Sequence, residues 1–378
     1  MTASPSSPEL YIGLMSGTSL DGIDGVLAEL HGPSIRVLHH ASTPFPQALR
    51  AELLALNTTG ADELHRAALA GNALARCYAQ VVEALVHTTA ADGTARSTIR
   101  AIGAHGQTVR HRPREFDGTG YTVQLNNPAL LAELTGLTVV ADFRSRDVAA
   151  GGQGAPLVPA FHQGVFGRAG QTVLVLNIGG ISNLSVLGAQ GEVRGFDCGP
   201  GNALMDHWCQ QHRGQAYDAG GQWAASGQVI PQLLQALLAE PFLGLPPPKS
   251  TGRDLFNPKW LAQHLAPWAQ ARPQDIQATL TELTASACAE HVKRYGNESK
   301  ILGVCGGGAL NTHLMQRLQA LLPDCAVGST DAWGLPALQV EAAAFAWLAR
   351  QALHGQTGSL KTVTGAQGAR VLGAIYPA

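Results

Sequence analysis

Residues 172–208 read TVLVLNIGGISNLSVLGAQGEVRGFDCGPGNALMDHW, and this stretch decides the fold. Val173 to Leu176 is a β-branched and aliphatic run of strand length, stopped by Asn177-Ile-Gly-Gly180, where glycine tolerates positive φ. Ile181 to Leu187 reads as the returning strand. A tight turn of this kind exposes backbone N–H groups. Asn177, Gly179, Gly180, Ser182 and Asn183 therefore form a tip able to hold a phosphate. A further strand, Glu192 to Phe196, delivers Asp197 into Cys198-Gly-Pro-Gly-Asn202, and a helix from Ala203 to Arg213 stops before Gly214. A carboxylate just beyond a strand end and beside a glycine-rich phosphate turn suits phosphoryl transfer. The same Asp197 also reads as the cap of a turn or of the next helix.

The device occurs twice. Leu10 to Asp24 is a strand running into a small-residue turn, with Gly25 to Leu30 as its return, so the chain reads as two halves of weak internal symmetry. Gly17, Thr18 and Ser19 offer backbone and hydroxyl donors, and Asp21 and Asp24 are placed to hold the waters of a Mg²⁺ ion. An ordinary Asp-Gly hairpin turn fits the same residues.

Between these hairpins, helical periodicity runs from Asp62 to His87 with Leu64, Ala67, Ala68, Leu74, Ala75, Tyr78, Val81, Val82 and Leu85 on one stripe. Ile99 to Ala104 is a strand ending in His105-Gly-Gln-Thr108, and Tyr121 to Leu125 is another. Asn127 caps a helix over Ala129 to Thr135, with Gly136 after its end. Thr138 to Ala141 is then a strand, which puts Asp142, Arg146 and Asp147 at a strand's carboxyl end, where α/β sheets gather ligand groups. A salt-bridged loop explains the same charges.

Gly151-Gly-Gln-Gly-Ala-Pro156 reads as the flexible crossing between halves, where closure would bend. Pro246 to Arg253 is a proline-stiffened loop carrying Lys249, Thr251 and Arg253, and it lacks the glycine spacing of a Walker A motif. Helices Pro258 to Gln270 and Pro273 to Tyr295 follow. Lys300 to Cys305 is a strand, and Gly306-Gly-Gly308 before the helix His313 to Leu321 lets a flat purine lie on backbone. Glu341 opens a last helix to Leu353, and Arg370 to Tyr376 ends the chain as a strand.

Composition narrows the class. The 378 residues are 45% hydrophobic and 14% charged with 44 glycines, a globular and turn-rich balance. Net charge is -2 without a Lys/Arg run, so neither nucleic acid nor an anionic membrane is the expected partner. The six cysteines form no C-x-x-C pair and read as reduced thiols. Met1 to Glu9 lacks the pattern of a signal peptide, and no run of 18 apolar residues occurs, so a cytoplasmic enzyme of small molecules is expected.

Taken together, Met15-Ser-Gly-Thr-Ser-Leu-Asp-Gly22, His105-Gly-Gln-Thr108, Asp142-Phe-Arg144, Gly151 to Phe161, Asn177 to Gly180, Phe196 to Asn202, Lys249-Ser-Thr-Gly-Arg253 and Cys305-Gly-Gly-Gly308 resemble the bacterial anhydro-N-acetylmuramic acid kinase family in order, from Tyr11 almost to the end. The resemblance implies an α/β, two-domain actin-like ATPase fold (sugar kinase, Hsp70, actin) with a duplicated ribonuclease H-like core and ATP in the interdomain cleft. Residues 10–146 plus 358–378 would form the N-terminal lobe, 147–357 the C-terminal lobe, and 1–9 a disordered extension. It implies that ATP, water and 1,6-anhydro-N-acetylmuramic acid give N-acetylmuramic acid 6-phosphate and ADP in cell-wall recycling.

Asp197 would be the base that activates water, and would also touch the sugar. Gly17, Thr18, Ser19, Leu20, Asp21, Gly22, Ile23 and Asp24 would bind the ATP phosphates, with Asp21 toward Mg²⁺, and the hairpin Asn177 to Asn183 would contact phosphate from the opposite domain. Gly306, Gly307 and Gly308 would flank the adenosine. Thr108, Arg146 and Glu341 would hold the amino sugar, Arg146 through its lactyl carboxylate. Ser145 stands where the family pattern leads one to expect a basic residue. A homodimer is the family expectation. Two other readings remain open: a kinase of an amino sugar with a free hydroxyl, and an Hsp70-like or actin-like nucleotide switch.

Overall fold

The structure, a computed structural model, describes residues 7–17, 19–91, 93 and 95–378, apart from the side chains of 89–91. Thr18 of the first phosphate turn lies outside the described residues, as do residues 1–6 of the expected extension. The chain divides into two compact units, Met1–Val165 with Leu338–Ala378, and Phe166–Ala337.

In the first unit, β1 (Glu9–Met15), β2 (Gly22–His31) and β3 (Ser34–Pro44) form an antiparallel meander. β4 (Ile99–Ala104) lies parallel to β1 on its other side, and β5 (Gln107–Pro113) and β6 (Gly120–Leu125) pair as a separate hairpin. β7 (Val139–Ala141) is parallel to β4. The last strand, β13 (Ala374–Tyr376), closes the sheet in the order β13-β7-β4-β1-β2-β3.

Glu9 already belongs to β1. Its carboxylate meets Arg350 Nε at 3.2 Å and His354 Nε2 at 3.0 Å, so Glu9 belongs to the sheet and not to a disordered extension. β5 was not legible, because Gln107-Thr-Val-Arg-His-Arg-Pro113 is too polar to read as a strand.

Helices cover both faces of this sheet. On one, helix Glu63–Ala91 buries Leu74, Ala75, Tyr78, Val81, Val82 and Leu85 against Ile12, Leu14, Ile23 and Leu27. The stripe starts later than its sequence period suggests: Leu64 is 89% exposed, and the first turn instead pairs Glu63 with Arg110 at 2.6 Å. On the other face lies helix Val340–Leu353. Gly13 and Gly103 are register partners in β1 and β4, and a Cβ there would stand 1.8 Å from the Ala342 carbonyl oxygen and 2.0 Å from that of Phe345. Only glycine lets helix backbone rest directly on strand backbone here. Arg350 meets Glu9 at the start of β1 while Ala342 lies over Gly13, so the helix N-terminus and Glu341 face the carboxyl ends of β1 and β4.

The second unit repeats the plan. β8 (Val173–Ile178), β9 (Ile181–Leu187) and β10 (Val193–Pro200) form an antiparallel meander, with β11 (Ile301–Cys305) and β12 (Ala326–Ser329) parallel to β8 on its far side. The order β10-β9-β8-β11-β12 matches β3-β2-β1-β4-β7 strand for strand and direction for direction. This is the duplicated α/β architecture expected of an actin-like fold. Helix Pro273–Tyr295 packs on β9 and β10 through Ile276, Leu280, Leu283 and Val292, residues that lie in the unit's core.

The structure departs from the sequence in two places. Asp197 does not lie beyond a strand: β10 continues to Pro200 because a bulge between Asp197 and Gly199, where Gly199 takes φ 148°, absorbs the irregular segment. The unit boundaries fall at 165/166 and 337/338 rather than 146/147 and 357/358, so Gly151 to Pro156 and Glu341 sit in the first unit. The glycines resemble a linker in composition, yet Gly154 N donates to Asp147 Oδ2 at 2.8 Å and Gln153 N to Thr364 O at 2.8 Å. Among the described residues no helix is long and apolar enough to cross a membrane.

Candidate functional site

The first turn is built from backbone. Leu20 N donates to Gly17 O at 3.2 Å, and Leu20 takes φ 58°, a left-handed conformation uncommon for leucine. The side chains of Leu20 and Ile23 are buried, and Ile23 already lies within β2, paired with Thr43 of β3. Asp21 is exposed, and its Oδ1 accepts from Ser19 Oγ at 2.8 Å and from Gly22 N at 3.0 Å. Asp24 is turned to His40, 3.2 Å away.

One exposed carboxylate beside open turn backbone fits a cation held through water and by a ligand's own oxygens. Among the described residues no three His, Cys, Asp or Glu side chains gather as a metal cage.

Behind the turn stands a buried network that the sequence reading left without roles. His105 Nδ1 lies 3.2 Å from Ser16 O, and its Nε2 lies 3.1 Å from Arg144 Nε and 2.9 Å from Arg144 Nη2. Burial, with the Arg144 charge next, holds His105 down to about 3, so the ring is neutral and its proton sits on Nδ1. Arg144 Nη1 continues to Gly154 O at 2.8 Å. Ser16 Oγ meets the buried Tyr78 hydroxyl at 2.8 Å, and Gln107 Nε2 donates to Gly17 O at 3.1 Å. Three other motifs of the sequence are thus linked to this turn, His105-Gly-Gln-Thr108 directly, Arg144 through His105 and Gly154 through Arg144.

The residues assigned to the sugar follow neighbouring strands. Thr108 lies in β5 just after β4, and its Oγ1 accepts from Gln124 Nε2 at 3.2 Å. Arg146 is exposed on the short helix Ser145–Ala149 after β7, and this helix packs on β6. Glu341 is half-buried near the start of its helix. All three therefore lie toward the carboxyl ends of β1, β4 and β7, as open α/β sheets place ligand groups. Asp147 has a different place: it is fully buried, with Oδ1 taken by Thr364 Oγ1 at 2.8 Å and Oδ2 by Gly154 N.

In the second unit the three glycine motifs meet. Asn202 N donates to Gly179 O at 2.8 Å and Gly201 N to Gly180 O at 2.9 Å, so the β8–β9 turn closes on the start of helix Ala203–Arg213. A Cβ on Gly201 would fall 2.2 Å from Gly179 O. Gly306, at φ 77°, and Gly308 press on Asn177 and Ile178, where a Cβ would fall 2.5 Å from Asn177 Oδ1 and 2.4 Å from Ile178 Cγ2. Ser182 is buried, its Oγ donating to Gly199 O at 3.1 Å.

Asn177, Asn183 and Asp197 stand in register across β8, β9 and β10, so their side chains share one face. Asn183 Oδ1 is buried there with no hydrogen-bond partner among the described residues. Asp197 is 5% exposed; its N–H donates to Lys249 O at 3.2 Å, and its Oδ2 accepts from Thr251 N at 2.8 Å. The loop Pro246 to Arg253, of open purpose in the sequence, therefore clasps Asp197 from both ends.

A family model described as anhydro-N-acetylmuramic acid kinase matches residues 9–378. A protein of that name from Variovorax paradoxus (strain S110) is 67% identical over 375 residues, covering 98% of this chain and 99% of that protein. Another from Albidiferax ferrireducens is 63% identical over 390 aligned positions, covering 98% of this chain and 100% of that protein. Among solved structures, an activator of 2-hydroxyisocaproyl-CoA dehydratase from Clostridium difficile with bound ADPNP is 14% identical, with TM-score 0.45 over 89% of this chain and 92% of that one. With two relatives above 60% identity aligned end to end, and the family match starting where β1 starts, the chain belongs to the anhydro-N-acetylmuramic acid kinase family.

Proposed function

We propose that this chain is an ATP-dependent kinase that opens 1,6-anhydro-N-acetylmuramic acid with water and phosphorylates it, giving N-acetylmuramic acid 6-phosphate and ADP in cell-wall recycling. The match across residues 9–378 is the observation that carries this reading.

The substrate has no free 6-hydroxyl, because that oxygen closes the anhydro bridge. Asp197 takes a proton from water, and the water oxygen bonds to the anomeric carbon as the bond from that carbon to the bridge oxygen breaks. The released oxygen attacks the γ-phosphorus, and the bond to the ADP oxygen breaks. Burial and the Thr251 N–H support this role, since one carboxylate oxygen is already oriented by a backbone donor. Arg146 pairs with the lactyl carboxylate, and Thr108 and Glu341 bond the sugar.

Gly17 to Asp24 and Asn177 to Asn183 bind the ATP phosphates, and Gly306 to Gly308 flank the adenosine. Thr18 belongs to this assignment on sequence alone. When bound, Mg²⁺ held through water at Asp21 supplies charge neutralisation on the phosphates. The enzyme acts in the cytoplasm as a homodimer.

The test is incubation with ATP and either the anhydro sugar or N-acetylmuramic acid in ¹⁸O water, read by mass. The expected result is the 6-phosphate from the anhydro sugar with heavy oxygen at C1. Product from N-acetylmuramic acid alone would favour a kinase of a free hydroxyl, and ATP consumption without either product would favour a nucleotide switch.

A further inference from the structure

Lys249 is 4% exposed, yet its ammonium is tied on every arm: Nζ donates to Phe242 O at 3.0 Å, to Leu243 O at 3.2 Å and to His291 Nε2 at 2.9 Å. It also lies over the Phe242 ring, 4.5 Å from the centroid. These anchors belong to helix Pro241–Gly244 and helix Pro273–Tyr295, which pack beside β10. Burying an ammonium among neutral acceptors is a costly way to fasten a loop, and an apolar side chain of similar length would fill the space on Phe242. What the cation adds is a fixed positive charge facing Asp197 and Cys198 of β10.

The geometry points to Lys249 as a positioning residue for Asp197: its pinned ammonium fixes the loop whose Lys249 carbonyl and Thr251 amide hold the aspartate backbone and carboxylate. This rests on the proposed role of Asp197 as base. The chain of contacts is short and continuous. Lys249 Nζ is fastened to two helices, Lys249 O accepts from Asp197 N, and Thr251 N, two residues on, donates to Asp197 Oδ2. If the ammonium is lost, the loop keeps its prolines but loses its fastening, and the carboxylate loses its orientation.

Burial holds Lys249 down to about 8, with Cys198 and Asp197 opposing that fall and Arg294 adding to it. The facing groups are Asp197 and Cys198 on β10, and His291 and Arg294 on the helix, with Glu290 beside His291. Burial also holds His291 down to about 4, so it is a neutral acceptor over the working range. A neutral amine has one donor fewer than three acceptors require, so the clasp loosens above about pH 8.

The test is steady-state kinetics of the full chain and of Lys249→Met and Lys249→Arg, with ATP and the anhydro sugar, from about pH 6 to about pH 10. Lys249→Met is expected to lower kcat roughly 10- to 100-fold while KM for ATP stays within about twofold, because misorienting one catalytic group costs turnover before binding. Lys249→Arg is expected to recover most of that loss and to move the alkaline fall of kcat from near 8 to well above it, since guanidinium stays charged. Turnover of Lys249→Met within about threefold of wild type, or an arginine variant no better than the methionine one, overturns the assignment. Should Lys249→Met fail to fold, the arginine variant decides: an alkaline fall still near 8 overturns it. Wild-type protein that forms no sugar phosphate overturns the kinase reading itself, an outcome separate from the others.

Discussion

Arg144 donates to His105 Nε2 from two nitrogens, at 3.1 and 2.9 Å, while the opposite ring nitrogen of His105 lies 3.2 Å from Ser16 O. The imidazole is a neutral rod between the first glycine turn and the loop after β7. His105 and His162 are held to about 3, and His111 and His291 to about 4, in each case chiefly by burial, against an ordinary 6.5. The unfolded chain therefore binds protons between 6.5 and about 4 that the folded chain refuses. Stability is fully present above 6.5 and is lost as pH falls toward the folded values.

Urea unfolding followed by circular dichroism should show the midpoint dropping steadily from pH 6.5 to about 4. His105→Gln, which can still donate to Ser16 O and accept from Arg144, should be less stable at neutral pH but flatter across that window. A mutant with the same slope as wild type would show that His105 has no share in it.

Asp197→Asn tests the base. Asparagine keeps an oxygen for the Thr251 N–H, so the loop contact at 2.8 Å survives while the basic oxygen does not. Turnover should fall by roughly 10² or more with ATP binding retained. Near-normal turnover by coupled ADP release, at unchanged ATP affinity, would reject the role.

Much of the framework was legible because its signals are local. Asn127 caps its helix by accepting from Leu130 N, and Gly136 and Gly214 end theirs at φ 62° and 66°, as the residue types imply. The strand pairs around both glycine turns were legible for the same reason, since continuous apolar runs and glycines need no partner to be read. What escaped was set by distant contacts. Gly151 to Gly154 looked like a hinge, yet Asp147, Arg144 and Thr364 hold it within one unit. Asp197 looked like a residue past a strand end until the bulge at Gly199 carried β10 beyond it. Lys249 and His105 sit in quoted motifs, but only folding reveals that their partners are carbonyls and ring nitrogens with no sequence signature.

Arg146 is exposed on its short helix, and a guanidinium there suits a carboxylate ligand. Arg146→Ala should raise KM for the anhydro sugar by about 10-fold or more and that for ATP by less than about threefold, the loss of one charge-assisted bidentate contact. Because the residue is exposed, thermal stability should be unchanged within about 0.5 kcal/mol. Equal effects on both KM values would assign the residue elsewhere.

The contact between Gly103 and helix Val340–Leu353 predicts a split between two glycine substitutions. A Cβ on Gly103 would stand 2.0 Å from the Phe345 carbonyl oxygen, which belongs to helix backbone and cannot swing aside. Gly103→Ala must therefore lift the helix, and overpacking of this kind costs about 1–3 kcal/mol or more. Gly164 lies in helix Val158–Phe166 with nothing within 4 Å of a built Cβ, so Gly164→Ala should stabilise by up to about 1 kcal/mol through helix propensity and the unfolded chain. Unfolding in urea separates the two. The lifted helix carries Glu341, so a folded Gly103→Ala protein should also show a raised KM for the sugar while Gly164→Ala does not. Equal stability of the two variants would mean that the glycine pair Gly13 and Gly103 is not what seats the helix on the sheet.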